Sequence, residues 1–202
     1  MLIAGRQAYL LAAGRGKRAG GPKAWLLHEG RTLLETQLAF LADLLDPASI
    51  AVSIQGDWLE KCRRLDARVH WVPVDASLSP LSSLLSLIKE LPLKAWSFLY
   101  HVDMPVWEEG LFRALSERSP AAKAAGTEAI IPVEGGKGGH PVLLSPTLAS
   151  PLAGLDPSKD RLDHWLVSRK AERFDVPYPC IHENWNYREP SPRSACLPRR
   201  ER

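Results

Sequence analysis

A glycine-rich basic loop directly after a short apolar run constrains this chain more than any other feature. The apolar run covers residues 8–12, and the loop that follows it ends at Lys23. The glycines and cations of the loop are Gly14, Arg15, Gly16, Lys17, Arg18, Gly20, Gly21 and Lys23. Glycine allows positive φ and a close approach of the backbone to a ligand, so N–H groups and cations can converge there. The pattern favours a polyphosphate-binding loop at the end of a buried strand.

Neither of two well-known phosphate-binding loops fits this spacing. The dinucleotide loop has the pattern Gly-x-Gly-x-x-Gly, and Ala19 stands here at the third glycine. The P-loop requires Ser or Thr after Gly-Lys, and Arg18 follows Gly16-Lys17. A plain surface turn is the alternative explanation of the glycines.

The loop resembles that of the MobA-like nucleotidyltransferases, a family that includes the molybdopterin guanylyl- and cytidylyltransferases. The shared pattern is Leu-x-Ala-Gly-x-Gly-x-Arg-x-Gly-x-x-Lys, and Ala19 replaces a common methionine. The resemblance implies that the nucleotide is bound by Leu11, Ala12, Ala13, Gly14, Gly16 and Lys23. It also implies that Arg18 and Lys23 are catalytic, because they would neutralise the charge that grows on pyrophosphate.

Strand-like and helix-like segments alternate along the rest of the chain. Strands are predicted at residues 49–54, 69–73, 96–101 and 129–133, and helices at 58–65, 80–91 and 151–166. A further helix starts at a capping box formed by Thr32 and Glu35. This rhythm predicts an α/β fold, a three-layer αβα sandwich with a mostly parallel, Rossmann-like sheet. The family resemblance implies the nucleotide-diphospho-sugar transferase-like version of it.

Asp103 follows the predicted strand 96–101 and precedes Met104-Pro105. An acid just past a buried strand can hold a hard cation, although Asp before such a turn can also act as a cap. Its likeness to the Asp-x-Pro of the family implies a catalytic Asp103 that binds Mg²⁺. His101 is expected on the same side of the strand, where it either orients that carboxylate or is a hydrogen-bonded core residue.

A second metal-binding segment is implied near the end of the chain. Family members carry Asn-x-Asn or Asp-x-Asp followed by Thr-Pro-Glu-Asp, and here Asn184 and Asn186 match while Tyr187-Arg188 replaces Thr-Pro. The resemblance implies that Asn184 and Asn186 complete the Mg²⁺ site with Asp103. A loop without function is the alternative.

Two further segments resemble ligand-binding parts of the family. The segment at 79–84 is similar to a Gly-Pro-Leu-Ala-Gly stretch, which implies that Ser82 and Ser83 contact the nucleoside, although a helix N-cap explains it nearly as well. The glycine-rich segment at 134–144 contains a Gly-His-Pro that is similar to the cytidylyltransferase-like members. It implies that Lys137, Gly139 and His140 bind the acceptor, and the alternative is a simple hairpin tip.

The composition of the chain limits which classes of molecule we expect it to bind. The last twelve residues hold four arginines and one glutamate, which accounts for the net charge of +3 and leaves a nearly neutral body. We therefore expect one globular domain over residues 1–190, which the resemblance implies is a nucleotidyltransferase domain, with a disordered basic tail at 191–202 and no nucleic-acid partner. No apolar run has the length of a membrane span, so we expect no membrane partner and a cytoplasmic location.

The resemblance implies two partners, an NTP, either CTP or GTP, and a phosphorylated small-molecule acceptor. The expected protein is a monomer or homodimer that uses Mg²⁺. Molybdopterin is the first expectation for the acceptor, and a sugar phosphate or a methylerythritol phosphate is the alternative. A different reading is a nucleotide-binding regulatory protein with weak or no turnover.

Overall fold

The computed structural model describes residues 1–16 and 20–185 of the chain. Its strands are β1 (Gln7–Leu11), β2 (Leu27–His28), β3 (Arg31–Thr32), β4 (Ile50–Ile54), β5 (His70–Pro73), β6 (Ser97–His101), β7 (Ala129–Glu134), β8 (Lys137–Gly138), β9 (Val142–Leu144) and β10 (Ala171–Asp175). Its α-helices are α1 (Leu33–Leu44), α2 (Leu59–Arg63), α3 (Pro80–Glu90), α4 (Glu109–Ala124), α5 (Ala149–Ala153) and α6 (Leu162–Val167).

The main sheet is mixed and mostly parallel. Its strand order is β10-β7-β9-β6-β1-β4-β5, with β8 paired to β7, while β2 and β3 form a separate ribbon. The pairs β1–β4, β1–β6, β4–β5 and β7–β10 are parallel, whereas β9 is antiparallel to both of its neighbours. Strand order therefore reverses beside β1, with β4 on one side and β6 on the other.

Helices cover both faces of this sheet. Alternate side chains of β1 point to opposite faces, so Leu10 lies in one apolar cluster and Tyr9 in the other. The cluster around Leu10 contains buried side chains of α1, α2 and α4, and the cluster around Tyr9 contains those of α3, α5 and α6. The predicted three-layer αβα sandwich with a mostly parallel sheet is confirmed.

Local sequence signals account for where two of the main helices begin. The Thr32 hydroxyl accepts from the Glu35 N–H at 3.2 Å, and the Glu35 carboxylate accepts from the Thr32 N–H at 2.8 Å, so the predicted capping box is present. In α3, Ser79 caps the first turn by accepting from the Ser82 N–H, and Pro80 occupies the first helical position.

The prediction of one helix over residues 151–166 is wrong. The chain forms the short helices α5 and α6 there, with a loop between them. Gly154 ends the first helix, and the Asp156 N–H donates to the Asp160 carboxylate at 2.8 Å within the loop. This hydrogen bond gives the backbone an alternative to the hydrogen bonds of a helix, as Asp side chains commonly do. Helix α4, strand β10 and the two-residue strands β2 and β3 lie outside the predicted segments.

Several sequence expectations fall outside the described residues. They concern Arg18, Asn186 and the basic tail at 191–202. Within residues 1–16 and 20–185, none of the helices combines the length and the apolar character needed to cross a membrane.

Candidate functional site

The glycine loop and Asp103 meet at the point where the strand order reverses. Leu11, the last residue of β1, is the register partner of both Ser53 in β4 and His101 in β6. The loop follows Leu11 and the Asp103 segment follows His101, so both leave the same edge of the sheet. Open α/β sheets bind ligands at this kind of position.

A first cavity of about 270 Å³ lies between these two segments. The predicted residues on its wall are Leu11, Ala13, Gly14, Gly16, Lys23, Ser83 and Asp103. Ser53, Asp75 and His101 also line it. The first cavity therefore joins the carboxyl ends of β1, β4, β5 and β6 to the first turn of α3.

The shape of the glycine loop depends on Gly16. This residue has φ of +56°, and a Cβ atom added to it would lie 1.9 Å from the carbonyl oxygen of Gly21. No side chain fits at that distance, so the turn requires glycine. Gln55 anchors the start of the loop, because its amide donates to the Ala13 carbonyl at 3.0 Å. The loop is thereby attached to the end of β4.

Lys23 and Asp103, on the wall of the first cavity, form a small polar cluster with Asn184. Lys23 Nζ lies 2.5 Å from Asp103 Oδ2 and 3.5 Å from Asn184 Oδ1. The side chains of Lys23 and Asp103 are only 17% and 14% exposed, which strengthens their attraction compared with a surface pair. The Trp185 N–H donates to the Asp103 carbonyl at 2.8 Å and fixes Asn184 beside it.

Gln37 holds the segment that carries Asp103. Its buried side-chain amide donates to the carbonyls of Val102 at 3.2 Å and of Met104 at 2.6 Å, the two residues that flank Asp103. Its Oε1 accepts from the Trp107 indole N–H at 3.0 Å. Sequence reasoning missed Gln37, although an amide in the apolar face of α1 was a signal that could have found it.

The two histidines near the site are both half-buried. Burial lowers the pKa of His101, and the nearby Asp103 carboxylate acts in the opposite direction. Burial lowers the pKa of His140 to about 4, with the neighbouring His101 as the next cause. Their rings are perpendicular, with centroids 5.8 Å apart. Both imidazoles are therefore neutral at neutral pH, so they offer hydrogen bonds and no positive charge.

A second cavity of about 690 Å³ adjoins the first. Leu11, Pro80 and His101 line both cavities, so the two share one boundary. Gly139 and His140 lie on the wall of the second cavity, as do Arg161 and Asp163. A Cβ atom at Gly139 would lie 2.4 Å from the carbonyl oxygen of Ile181, so only glycine fits there.

Other predicted residues lie apart from the two cavity walls. Ala12 is buried in the core, and its N–H donates to the Ser53 carbonyl at 3.0 Å. The hydroxyl groups of Ser82 and Ser79 share a hydrogen bond of 3.2 Å at the start of α3. Lys137 is exposed on the tip of the β7–β8 hairpin, which the tight turn at Gly135-Gly136 forms. Residues 134–138 thus belong to a paired hairpin, and residues 139–140, which follow it, line the second cavity.

The cluster has the donor set of a hard divalent cation. Among the described residues, no group of three or more His, Cys, Asp and Glu side chains is placed to hold a metal. The Asp103 carboxylate and the Asn184 amide oxygen nevertheless converge on one cationic atom, Lys23 Nζ. Mg²⁺ takes one or two carboxylates and fills its remaining positions with phosphate and water oxygens. Asp103 and Asn184 therefore fit such an ion when a polyphosphate supplies the other ligands.

Solved structures of known proteins have the same fold. Rv0371C from Mycobacterium tuberculosis H37Rv, solved as a complex with manganese, is 21% identical, with a TM-score of 0.66 over 91% of this chain and 95% of that one. Molybdopterin-guanine dinucleotide biosynthesis protein A from Archaeoglobus fulgidus is 16% identical, with a TM-score of 0.61 over 84% and 83%. A 4-diphosphocytidyl-2C-methyl-D-erythritol synthase from Anaerococcus prevotii is 16% identical, with a TM-score of 0.62 over 88% and 89%.

The sequence comparison identifies the family. No curated protein sequence matches the chain. The family model described as the MobA-like NTP transferase domain matches residues 8–173. The match includes the glycine loop, Asp103, His140 and the strands of the main sheet, apart from Gln7 in β1 and residues 174–175 in β10. This chain belongs to the MobA-like NTP transferase domain family.

Proposed function

We propose that this protein transfers a nucleoside monophosphate from an NTP to a phosphorylated small-molecule acceptor and releases pyrophosphate. The observation that supports this proposal best is the shared boundary of the two cavities. The first cavity has the glycine loop, Lys23 and Asp103 on its wall, and the second adjoins it at His101. Two substrates bound there would meet at that boundary, as a transfer reaction requires.

The reaction needs no nucleophile from the protein. An oxygen of the acceptor phosphate attacks the α-phosphorus of the NTP, a new P–O bond forms, and the bond to the bridging oxygen of the β-phosphate breaks. Lys23 would neutralise the charge that develops on the departing pyrophosphate, and the backbone of the glycine loop would hold the triphosphate in place. Arg18 has the same proposed role from a position outside the described residues.

Asp103 and Asn184 would hold Mg²⁺. The ion would supply positive charge to the phosphates in the same cavity. Lys23 lies within hydrogen-bond distance of both of these residues, so its ammonium group would move toward phosphate oxygens when the ion binds. Asn186 remains a proposed ligand outside the described residues.

CTP and molybdopterin are the proposed substrates. The Gly-His-Pro segment at 139–141 resembles that of cytidylyltransferase-like members, which supports CTP over GTP. Sugar phosphates and methylerythritol phosphate are the alternatives for the acceptor. The protein is further proposed to be cytoplasmic and a monomer or homodimer, with no nucleic-acid or membrane partner.

Pyrophosphate release tests the proposal. Each of the four NTPs is combined with molybdopterin, glucose 1-phosphate or methylerythritol phosphate, with and without Mg²⁺. We expect Mg²⁺-dependent release with one NTP and one acceptor class. Tight NTP binding without Mg²⁺, and no release with any acceptor, would instead support a regulatory protein. Mn²⁺ in place of Mg²⁺ tests whether the site requires one particular ion.

Lys23→Ala is expected to weaken NTP binding or turnover at least tenfold, which corresponds to about 1.4 kcal/mol. The reason is the loss of the cation nearest to Asp103 on the wall of the first cavity. Calorimetric titration with NTP and the rate of pyrophosphate release are the measurements. Lys89→Ala removes an equal charge from the exposed last turn of α3 and serves as the control. Equal affinity and equal rate for the two variants would contradict the phosphate role of Lys23.

A further inference from the structure

The wall of the second cavity is mostly apolar. Its deeper part consists of side chains from β6, β7, β9 and two helices, namely Leu81, Leu99, Ile131, Val142, Leu162 and Leu166. Val167 extends the apolar surface to the rim, where it is 86% exposed. Apolar walls stabilise a ligand by removing its carbon surface from water.

The polar side chains on this wall are already engaged with other groups of the protein. Ser79 donates to the Pro157 carbonyl at 3.0 Å, and the Asp160 carboxylate accepts from the Asp156 N–H at 2.8 Å. Arg161 donates to Asp163 through Nε at 3.1 Å and Nη2 at 2.8 Å, so these opposite charges on the rim neutralise each other. These polar groups already have partners within the protein, so apolar side chains form most of the surface that a ligand would contact.

The His140 side chain differs from these four polar side chains. Its Nδ1 atom is buried and has no hydrogen-bond partner. The backbone around it is fixed, because the His140 N–H donates to the Ile181 carbonyl at 3.0 Å and Gly139 packs against the same residue. A buried polar atom without a partner is costly, and a ligand that pairs with it recovers that cost.

From this arrangement we infer that the acceptor is a phosphomonoester with an apolar or flat aromatic body and few hydroxyl groups, and that His140 supplies it with a side-chain hydrogen bond. A sugar phosphate fits this wall less well, because hydroxyls that face Leu99, Ile131 and Val142 would be left unpaired. This inference rests on the proposed function, since it assigns the acceptor to the second cavity. It narrows the acceptor from any phosphorylated molecule to one chemical class.

Two model acceptors test the inference on the intact protein. Both 1-naphthyl phosphate and glucose 1-phosphate carry one phosphate, and they differ in whether the body is aromatic or polyhydroxylated. Calorimetric titration in the presence of CTP, GTP or no nucleotide gives their dissociation constants. We expect 1-naphthyl phosphate to bind at least tenfold more tightly than glucose 1-phosphate. Equal binding of the two, or tighter binding of the sugar phosphate, would overturn the inference.

Two variants locate the binding in the second cavity. Val167→Asn makes the rim polar without disturbing the core, and we expect it to weaken binding of 1-naphthyl phosphate about threefold to fivefold. Leu27→Asn is its matched control, because Leu27 is 70% exposed and lines neither cavity. His140→Ala is expected to weaken the same ligand about tenfold and to leave NTP binding unchanged. Equal affinities in wild type, Val167→Asn and Leu27→Asn would place the ligand elsewhere and overturn the inference.

The two proposals can fail separately. Pyrophosphate release that is fastest with glucose 1-phosphate would support nucleotidyl transfer and overturn the apolar acceptor. Binding of 1-naphthyl phosphate that depends on Val167 and His140, without pyrophosphate release from any NTP with any acceptor, would support the ligand class of the second cavity and overturn the transfer reaction.

Discussion

Asp103→Asn is expected to lower kcat for pyrophosphate release by about 10², which raises the activation barrier by about 2.7 kcal/mol. The substitution preserves the shape of the side chain and removes the charge that faces Lys23 at 2.5 Å. The same change is expected to raise the Mg²⁺ concentration needed for half-maximal rate, because an amide oxygen binds a hard cation less tightly than a carboxylate does. Steady-state rates over a Mg²⁺ titration measure both effects.

Asn184→Asp provides the opposite test at the same cluster. Its side-chain oxygen lies 3.5 Å from Lys23 Nζ, so a carboxylate there would add a second anionic ligand and lower the Mg²⁺ requirement. The control for Asp103→Asn is Asp57→Asn, which removes one negative charge from an exposed turn that lines neither cavity. Mg²⁺ titration curves that coincide for wild type, Asp103→Asn and Asn184→Asp would rule out metal binding between these residues.

Gln37→Met is expected to reduce the free energy of unfolding by about 3 kcal/mol, because it deprives buried groups of their hydrogen-bond partners. The affected groups are the carbonyls of Val102 and Met104 and the indole N–H of Trp107. Since Val102 and Met104 flank Asp103, the half-saturating Mg²⁺ concentration should also rise about tenfold, or about 1.4 kcal/mol. Denaturant unfolding and the Mg²⁺ titration are the two measurements.

Tyr9→Phe is the control that distinguishes a general loss of protein stability from a displacement of the segment that carries Asp103. It removes the hydrogen bond from the Tyr9 hydroxyl to the Leu91 carbonyl at 2.7 Å. Leu91 follows α3 at the end opposite to Pro80, so this bond lies away from the first cavity. We expect a loss of about 1 kcal/mol in stability and an unchanged Mg²⁺ requirement. A Mg²⁺ requirement that rises equally in Tyr9→Phe and Gln37→Met would show that Gln37 has only a structural role.

The layered fold could be predicted because its signals are local. The capping box at Thr32 and the Ser79-Pro80 start of α3 define helix beginnings through contacts within four residues. Apolar runs such as 97–101 and 50–54 define buried strands. The prediction over 151–166 was wrong because the bond between Asp156 and Asp160 competes locally with a continuous helix. The antiparallel direction of β9 depends on its pairing with both β6, which lies far earlier in the chain, and β7, and periodicity does not encode such pairing.

The sequence by itself determined the family and the fold class and predicted a polyphosphate-binding role for the glycine loop, since each depends on residue types at fixed short spacings. Only the tertiary structure decided which distant side chains meet. Lys23, Asp103 and Asn184 converge through contacts across 80 and 161 residues, and the amide of Gln37 reaches over 65 residues to the carbonyl before Asp103. The apolar second cavity likewise arises where β6, β7, β9, α3 and α6 pack together. Such contacts follow from burial and strand order across the whole chain, so no short segment contains them.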